Sequence, residues 1–338
     1  MRQIWITRYG GPEVLEIREK ELPAPGNGEL TVAVKASGVN FADLMARRGL
    51  YPDAPKPPCV VGYEIAGVVE VVGAGVNPSW IGKEVFAFTK FGGYSERVNL
   101  ALNQVFEKPS PLSLEETAAL PVNYLTAYQL VVAIGGLKKG ETVLIHNAGG
   151  GVGLAALQLA RHIGARTIGT ASFSKHAFLK GQGLEEAVDY RKEDWEKEVM
   201  KRTGGKGVEL IIDPIGGTNW LKDYRLLRST GRMGVFGISS ATESRFGRVP
   251  ALLKLLTQVP ALNPISLMNQ NRGVFGVNLG HLWNEAEKVH GWVLDLLTGV
   301  REGWIKPHVD KTFLFSEAAQ AHRYIEERRN MGKVLLVP

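Results

Sequence analysis

The chain has 338 residues, 44% hydrophobic and 22% charged, an ordinary globular balance long enough for about two domains. A single cysteine rules out an internal disulfide and any cysteine-rich zinc cluster, and the net charge of +6 is spread without a dense basic block, which argues against a nucleic-acid partner. No run of ~18 apolar residues appears, and residues 1–20 turn charged too early for a secretion signal, so a cytoplasmic protein is expected.

Up to about residue 120, short runs alternate apolar and polar positions between Gly and Pro: LTVAVKAS (30–37), IAGVVEVVG (65–73) and EVFAF (84–88). That period of two predicts β structure. NFADLMARRG (40–49) predicts a short helix with Asn40 as N-cap, and Pro52, Pro55, Pro57 and Pro58 forbid regular structure after it. CVVGYEIAG (59–67) brings the lone Cys59 close to Tyr63 and Glu64. Cys59 reads as a small buried apolar side chain, and Glu64 as a structural acid.

The texture changes at residue 122. VNYLTAYQLVVAIG (122–135) predicts a helix. Six apolar runs separated by helical stretches follow: 142–147, 166–172, 186–190, 208–214, 231–238 and 272–279. Strands alternating with helices predict a parallel sheet covered on both faces, and six is the number of a complete dinucleotide-binding fold. RVPALLKLLTQVPALNPISLM (248–268) is an irregular apolar excursion interrupted by prolines. A helix over about 281–302, a helix over 316–329 and a last strand, KVLLVP, complete the chain. That last strand is expected to return to the first domain.

HNAGGGVGLAALQLAR (146–161) runs from a buried strand through Gly149, Gly150, Gly151 and Gly153 into an Ala/Leu helix. Glycines in that order let the backbone turn sharply and touch a pyrophosphate, whose charge then meets the helix N-terminal N–H groups. An NAD site puts an acid at the end of the second strand to hold the ribose 2′-hydroxyl. Here GTASFSKH (169–176) has none and offers Ser172, Ser174, Lys175 and His176. Hydroxyls and a cation suit a 2′-phosphate, so the cofactor is expected to be NADP(H).

GETVLIHNAGGGVGLAALQLAR (140–161), NFADLMARRGLY (40–51), VNYLTAY (122–128) and DPIGG (213–217) resemble the zinc-free quinone oxidoreductase (zeta-crystallin-like) branch of the medium-chain dehydrogenase/reductase superfamily. TASFSKH, NRGVFGVNLGHL and NMGKVLLVP carry a narrower likeness, to the synaptic vesicle membrane protein (vesicle amine transport) homologue subgroup. The resemblance implies an α/β fold: a GroES-like β-barrel catalytic domain (1–121 and 283–338) and a Rossmann doubly wound parallel sheet (122–282). It implies Gly150, Gly151 and Val152 at the pyrophosphate, Ser172, Lys175 and Tyr190 at the 2′-phosphate, and Thr126, Asn40, Phe236 and Gly237 near the nicotinamide. Asn278 and Lys333 are further carry-overs to the cofactor. It also implies a homodimer that pairs strand 274–279 across a two-fold axis, which would cover an otherwise exposed apolar sheet edge.

Zinc relatives carry Cys where Asn40 stands and His where Tyr63 stands, and neither replacement matches thiolate or imidazole as a ligand. His281 and Glu285 share a helical i,i+4 spacing that reads as a surface pair; His308 and Asp310 lack a third ligand. No metal is therefore expected. Hydride donation to a quinone or enone suits such a site, because a quinone's product anion is delocalised and needs little acid catalysis. Asn40, Tyr51 and Tyr63 would line the catalytic pocket. The resemblance to enoyl reductases makes Tyr51 the proton donor for an enone. The alternative is a membrane- or lipid-associated protein with low turnover, in peripheral contact through the apolar, basic-flanked segment 245–268.

Overall fold

The computed structural model describes residues 1–240, 260 and 263–338. They fall into two compact units, Met1–Asn123 with Gly280–Pro338, and Tyr124–Leu279.

The first unit is built on a seven-stranded sheet in the order Val309–Leu314, Lys333–Val337, Glu29–Val39, Glu64–Val72, Glu84–Phe88, Val105–Glu107. Arg97–Ala101 also pairs with Glu29–Val39, and every pairing but the first is antiparallel. The long strand serves two neighbours along one edge. Its start, Glu29 to Ala33, pairs with Arg97–Ala101, and its end, Ser37 to Val39, pairs with residues of Lys333–Val337. Register shifts at Thr31/Val32 and Val34/Ala36 bend it between the two. At Gly67 the sheet is so tight that a Cβ would lie 2.0 Å from the Ala33 carbonyl oxygen. As expected, the strand Lys333–Val337 belongs to this unit. Inward faces form two apolar clusters, one containing Ile4, Val61, Tyr94 and Leu336, the other Leu30, Ile65, Val85 and Leu100. Cys59 is a buried member of the first, as expected. The expected helix over 281–302 starts only at Ala286. His281 therefore does not share a helix face with Glu285. It bonds Asp53 instead, at 2.8 Å.

The second unit is a six-stranded parallel sheet in the order Glu186–Asp189, Arg166–Ala171, Thr142–Ile145, Val208–Asp213, Leu227–Val235, Gly273–Gly276. Numbered along the chain that is 3-2-1-4-5-6, the doubly wound order with its switch point beside the first strand. Each of the six expected apolar runs supplies one strand. Leu144, Ile168, Val188, Ile211 and Met233 lie in the core. The helix Gly151–Ile163 buries Leu154, Ala155 and Leu157 and stops at Gly164, which takes the left-handed conformation. The single helix expected over 122–135 is Pro121–Tyr128 followed by a π-helical turn, Gln129–Ala133.

Of the segment 245–268, residues 245–259, 261 and 262 lie outside the described residues. Its end forms the helix Pro264–Gln270, with Ile265 and Met268 exposed. Among the described residues no helix is long and apolar enough to cross a membrane.

Candidate functional site

In the first unit, Asn40 links the strand Glu29–Val39 to the helix Phe41–Arg47. It stands at the N-cap position, but its side chain does not cap the helix. The amide turns inward. Its Oδ1 accepts from Lys333 Nζ at 2.7 Å, and its Nδ2 donates to Glu64 Oε1 at 2.9 Å. Lys333 and Glu64 form an ion pair whose side chains are 2% and 0% exposed. Glu64 Oε2 accepts the Val122 N–H at 2.7 Å. Glu64 is thus a structural acid hydrogen-bonded within this unit.

Capping is done from the helix side. Asp43 Oδ2 accepts the Asn40 N–H at 2.8 Å, and Oδ1 accepts the Gly62 N–H at 3.0 Å, so one carboxyl group ties residue 40 to the residue before Tyr63. The Tyr94 hydroxyl also bonds Asp43, at 3.0 Å, and lies 3.3 Å from His322 Nε2. Burial pushes Asp43 up to about 7 against the pull of these donors and of Lys333. Burial, then the Arg47 charge, holds His322 well below the ordinary imidazole value. Asp43 was detectable in the sequence as the acid of an Asn-x-x-Asp capping pattern; His322 carried no local signal.

Tyr63 packs its ring between Tyr51, edge-on at 6.1 Å, and Phe91, tilted at 5.3 Å. Its hydroxyl is buried without a hydrogen bond of good geometry among the described residues. Burial first, then Asp43 and the nearby Tyr51 phenol, raise it far above the usual phenol value. Such a group is a firmly protonated hydrogen-bond donor. Two pairs of expected residues therefore meet in this unit, Asn40 with Lys333 and Tyr51 with Tyr63, and Asp43 links the two pairs.

In the second unit, the strand Thr142–Ile145 leads through His146 to Asn147, at φ 51°, and then to the glycines. Gly150 is extended at the helix N-cap, and Gly151 and Val152 form the first turn. A Cβ at Gly153 would lie 2.5 Å from the Asn147 carbonyl oxygen and 2.7 Å from that of Ala148, so the loop packs onto the helix only with glycine there. Lys175 flanks the loop: a Cβ at Gly149 would sit 3.0 Å from its Cδ. Its N–H bonds the Ser172 carbonyl at 2.9 Å, and both residues are buried just past the second strand. Tyr190 is half-buried after the third strand, with the Arg191 guanidinium 5.8 Å from its ring centre. Thr126 is buried in the helix Pro121–Tyr128, and Asn278 is exposed past the sixth strand. Phe236 and Gly237 follow the fifth strand, half-buried; the Phe236 N–H bonds the Asp213 carbonyl at 3.1 Å.

Beneath the loop lies a polar cluster that sequence reasoning missed. His146 Nδ1 is 2.9 Å from Thr170 Oγ1 and Nε2 is 2.8 Å from Asp223 Oδ1, so the ring ties the ends of the first two strands to the helix Asn219–Leu226. Burial and the neighbouring Asp223 push Asp213 up to about 7. The loop, the parallel sheet and an acid-free second strand flanked by a lysine together fit a dinucleotide carrying a 2′-phosphate. Among the described residues no group of three or more His, Cys, Asp or Glu side chains could hold a metal ion.

Comparison with known proteins finds two family matches. Residues 26–110 match the alcohol dehydrogenase GroES-like domain, and residues 151–295 match a family described as zinc-binding dehydrogenase. The human synaptic vesicle membrane protein VAT-1 homologue is 40% identical over 341 residues, covering 100% of this chain and 86% of that protein. The crystal structure of Escherichia coli quinone oxidoreductase complexed with NADPH is 31% identical with a TM-score of 0.88, each chain covered 100%. The CurK enoyl reductase structure is 26% identical with a TM-score of 0.86, covering 99% of this chain and 98% of that one.

Proposed function

Because the chain belongs to the quinone oxidoreductase branch of the medium-chain dehydrogenase/reductase superfamily, alongside the VAT-1 homologues, we propose that it is a cytoplasmic, NADPH-dependent reductase. It acts without zinc on a quinone or a related conjugated carbonyl. The observation that carries the reading is the buried Lys175 beside the glycine loop, with Ser172 next to it and no acid at the end of the second strand. When bound, NADPH supplies the hydride. The chain's part is to hold it. Gly150, Gly151 and Val152 take the pyrophosphate, Ser172, Lys175 and Tyr190 the 2′-phosphate, and Thr126, Phe236, Gly237 and Asn278 the nicotinamide end.

A zinc ion does not fit the first unit. Beside Asn40, a position held by a metal-binding Cys in zinc relatives, stands the Lys333 ammonium, and Glu64 is already spent on it. A divalent cation there would face an amide and a like charge. Tyr51, Tyr63 and Phe91 instead offer an aromatic wall to a flat acceptor, and Tyr51 is the proton donor for an enone. NADPH oxidation against a panel of quinones and enones, with metal analysis of the same sample, tests the reading. No turnover with any acceptor, or stoichiometric zinc, refutes it. The strand Gly273–Gly276, last in the sheet order, supports a homodimer paired through 274–279, which sedimentation tests. The exposed Ile265 and Met268 leave the membrane-associated alternative one observation, and liposome co-sedimentation of the intact protein decides it.

A further inference from the structure

Lys333, Glu64 and Asn40 close a triangle of hydrogen bonds inside the first unit. Glu64 Oε1 receives both the Lys333 ammonium and Asn40 Nδ2, while Asn40 Oδ1 receives a second ammonium N–H. Glu64 Oε2 is used by the Val122 N–H, so neither carboxylate oxygen lacks a donor. The arrangement admits one orientation of the amide. Turned over, Asn40 would present its NH2 to the ammonium and its oxygen to the carboxylate, both repulsive. The backbone makes room for the pair. A Cβ at Gly38 would fall 2.3 Å from Glu64 Oε1 and 2.6 Å from Lys333 Cε, although Gly38 does not have the positive φ that reserves a position for glycine.

Two opposite charges sealed from water are a costly way to fill a core, since apolar residues of the same volume pack at no desolvation cost. What the pair gives in return is a fixed direction for a third group. We propose that Lys333 and Glu64 are positioning residues that act through Asn40, locking in one orientation the amide of a residue expected to line the catalytic pocket. Lys333 then works inside the first unit rather than as a contact to the cofactor. The inference rests on the reductase reading for its effect on turnover, and on the hydrogen bonds alone for the lock itself.

The test compares Lys333→Met, Glu64→Gln and the double variant with the wild type. Lys333→Met leaves a carboxylate buried without its cation and should lower the melting temperature. The double variant buries two neutral near-isosteres and should recover that stability. Its kcat should remain down roughly 10- to 100-fold, with the NADPH dissociation constant within about twofold of wild type. Recovery of kcat together with stability would overturn the proposal, because the charges would then be structural only. An intact kcat with weakened NADPH binding in Lys333→Met would overturn it too, assigning Lys333 to the cofactor. A readout independent of turnover is the Asn40 side-chain NH2 in asparagine-labelled protein. Exchange-protected resonances are expected in the wild type, and rapidly exchanging ones in the double variant. Rapid exchange in the wild type sinks the lock, whereas absent turnover with protected resonances sinks only the reductase reading.

Discussion

Replacing Asp43 by asparagine should change how the stability of the first unit depends on pH. Asp43 is fully buried, and burial raises it from 3.8 to about 7. The folded state therefore keeps a proton that the unfolded chain gives up near pH 4. Folding is favoured most below that value, and the contribution is lost as pH rises through about 7. The full shift of about 3 units corresponds to roughly 4 kcal/mol, of which about 2–3 kcal/mol separates pH 5 from pH 8. The substituted amide cannot titrate. It adds a pH-independent cost of about 1–3 kcal/mol, because its NH2 meets donors from Asn40, Gly62 or Tyr94 that the carboxyl group accepted. The wild type should thus exceed D43N in stability by about 2–3 kcal/mol more at pH 5 than at pH 8. His322, Tyr94, Arg47 and Lys333 face the same region and are common to both proteins, so the difference isolates Asp43. Cys59, the only cysteine, is buried in the same core cluster as Tyr94, and its labelling rate under native conditions reports opening of this unit. Rates are referred to the unfolded chain at each pH. A difference that stays flat within about 0.5 kcal/mol, or grows toward pH 8, would show that the hydrogen-bond donors outweigh burial and keep Asp43 ionised.

Lys175→Ala should weaken NADPH binding by about 10- to 100-fold, the range of one charge-assisted hydrogen bond, and leave NADH unchanged; equal losses in fluorescence titrations would remove Lys175 from the 2′-phosphate. Gly153→Ala should abolish NADPH binding without unfolding the second unit, as judged by proteolysis, because its Cβ would strike the Asn147 and Ala148 carbonyls; retained affinity would mean that the loop yields. Tyr51→Phe should cut enone turnover by at least about tenfold and spare quinone turnover, since only the enone product needs the phenolic proton; parallel losses in steady-state assays would make Tyr51 a packing residue.

Local chemistry was legible in the sequence, and long-range claims on a side chain were not. The second unit could be read strand by strand, because each short apolar run is flanked by Gly, Pro or a helix start, and because the cofactor loop is one continuous stretch. Asn40 shows the opposite. Its residue type and position predict a capping side chain, yet Lys333 and Glu64, 293 and 24 residues away, claim the amide, and Asp43 caps in the reverse sense. His281 likewise pairs with Asp53 across 228 residues rather than with its sequence neighbour. Periodicity also could not show that the helix after Pro121 widens to a π-turn beyond Tyr128, since apolar residues continue through both. The His146 cluster escaped notice for the same reason: a lone histidine ending an apolar run does not announce an aspartate 77 positions later.

The strand Lys333–Val337 lies between Val309–Leu314 and Glu29–Val39. A ribosome delivers these residues after the whole of Tyr124–Leu279 has emerged. The inserted unit can therefore close on the nascent chain while Ser37 to Val39, at the end of one edge of Glu29–Val39, is still unpaired and Glu64 has no counter-charge. Order of synthesis and order of completion run opposite for the two units. Chains arrested before residue 333 should show a protease-resistant Tyr124–Leu279 fragment and an accessible Cys59, and a trigger-type chaperone would find its binding surface on the part that was made first.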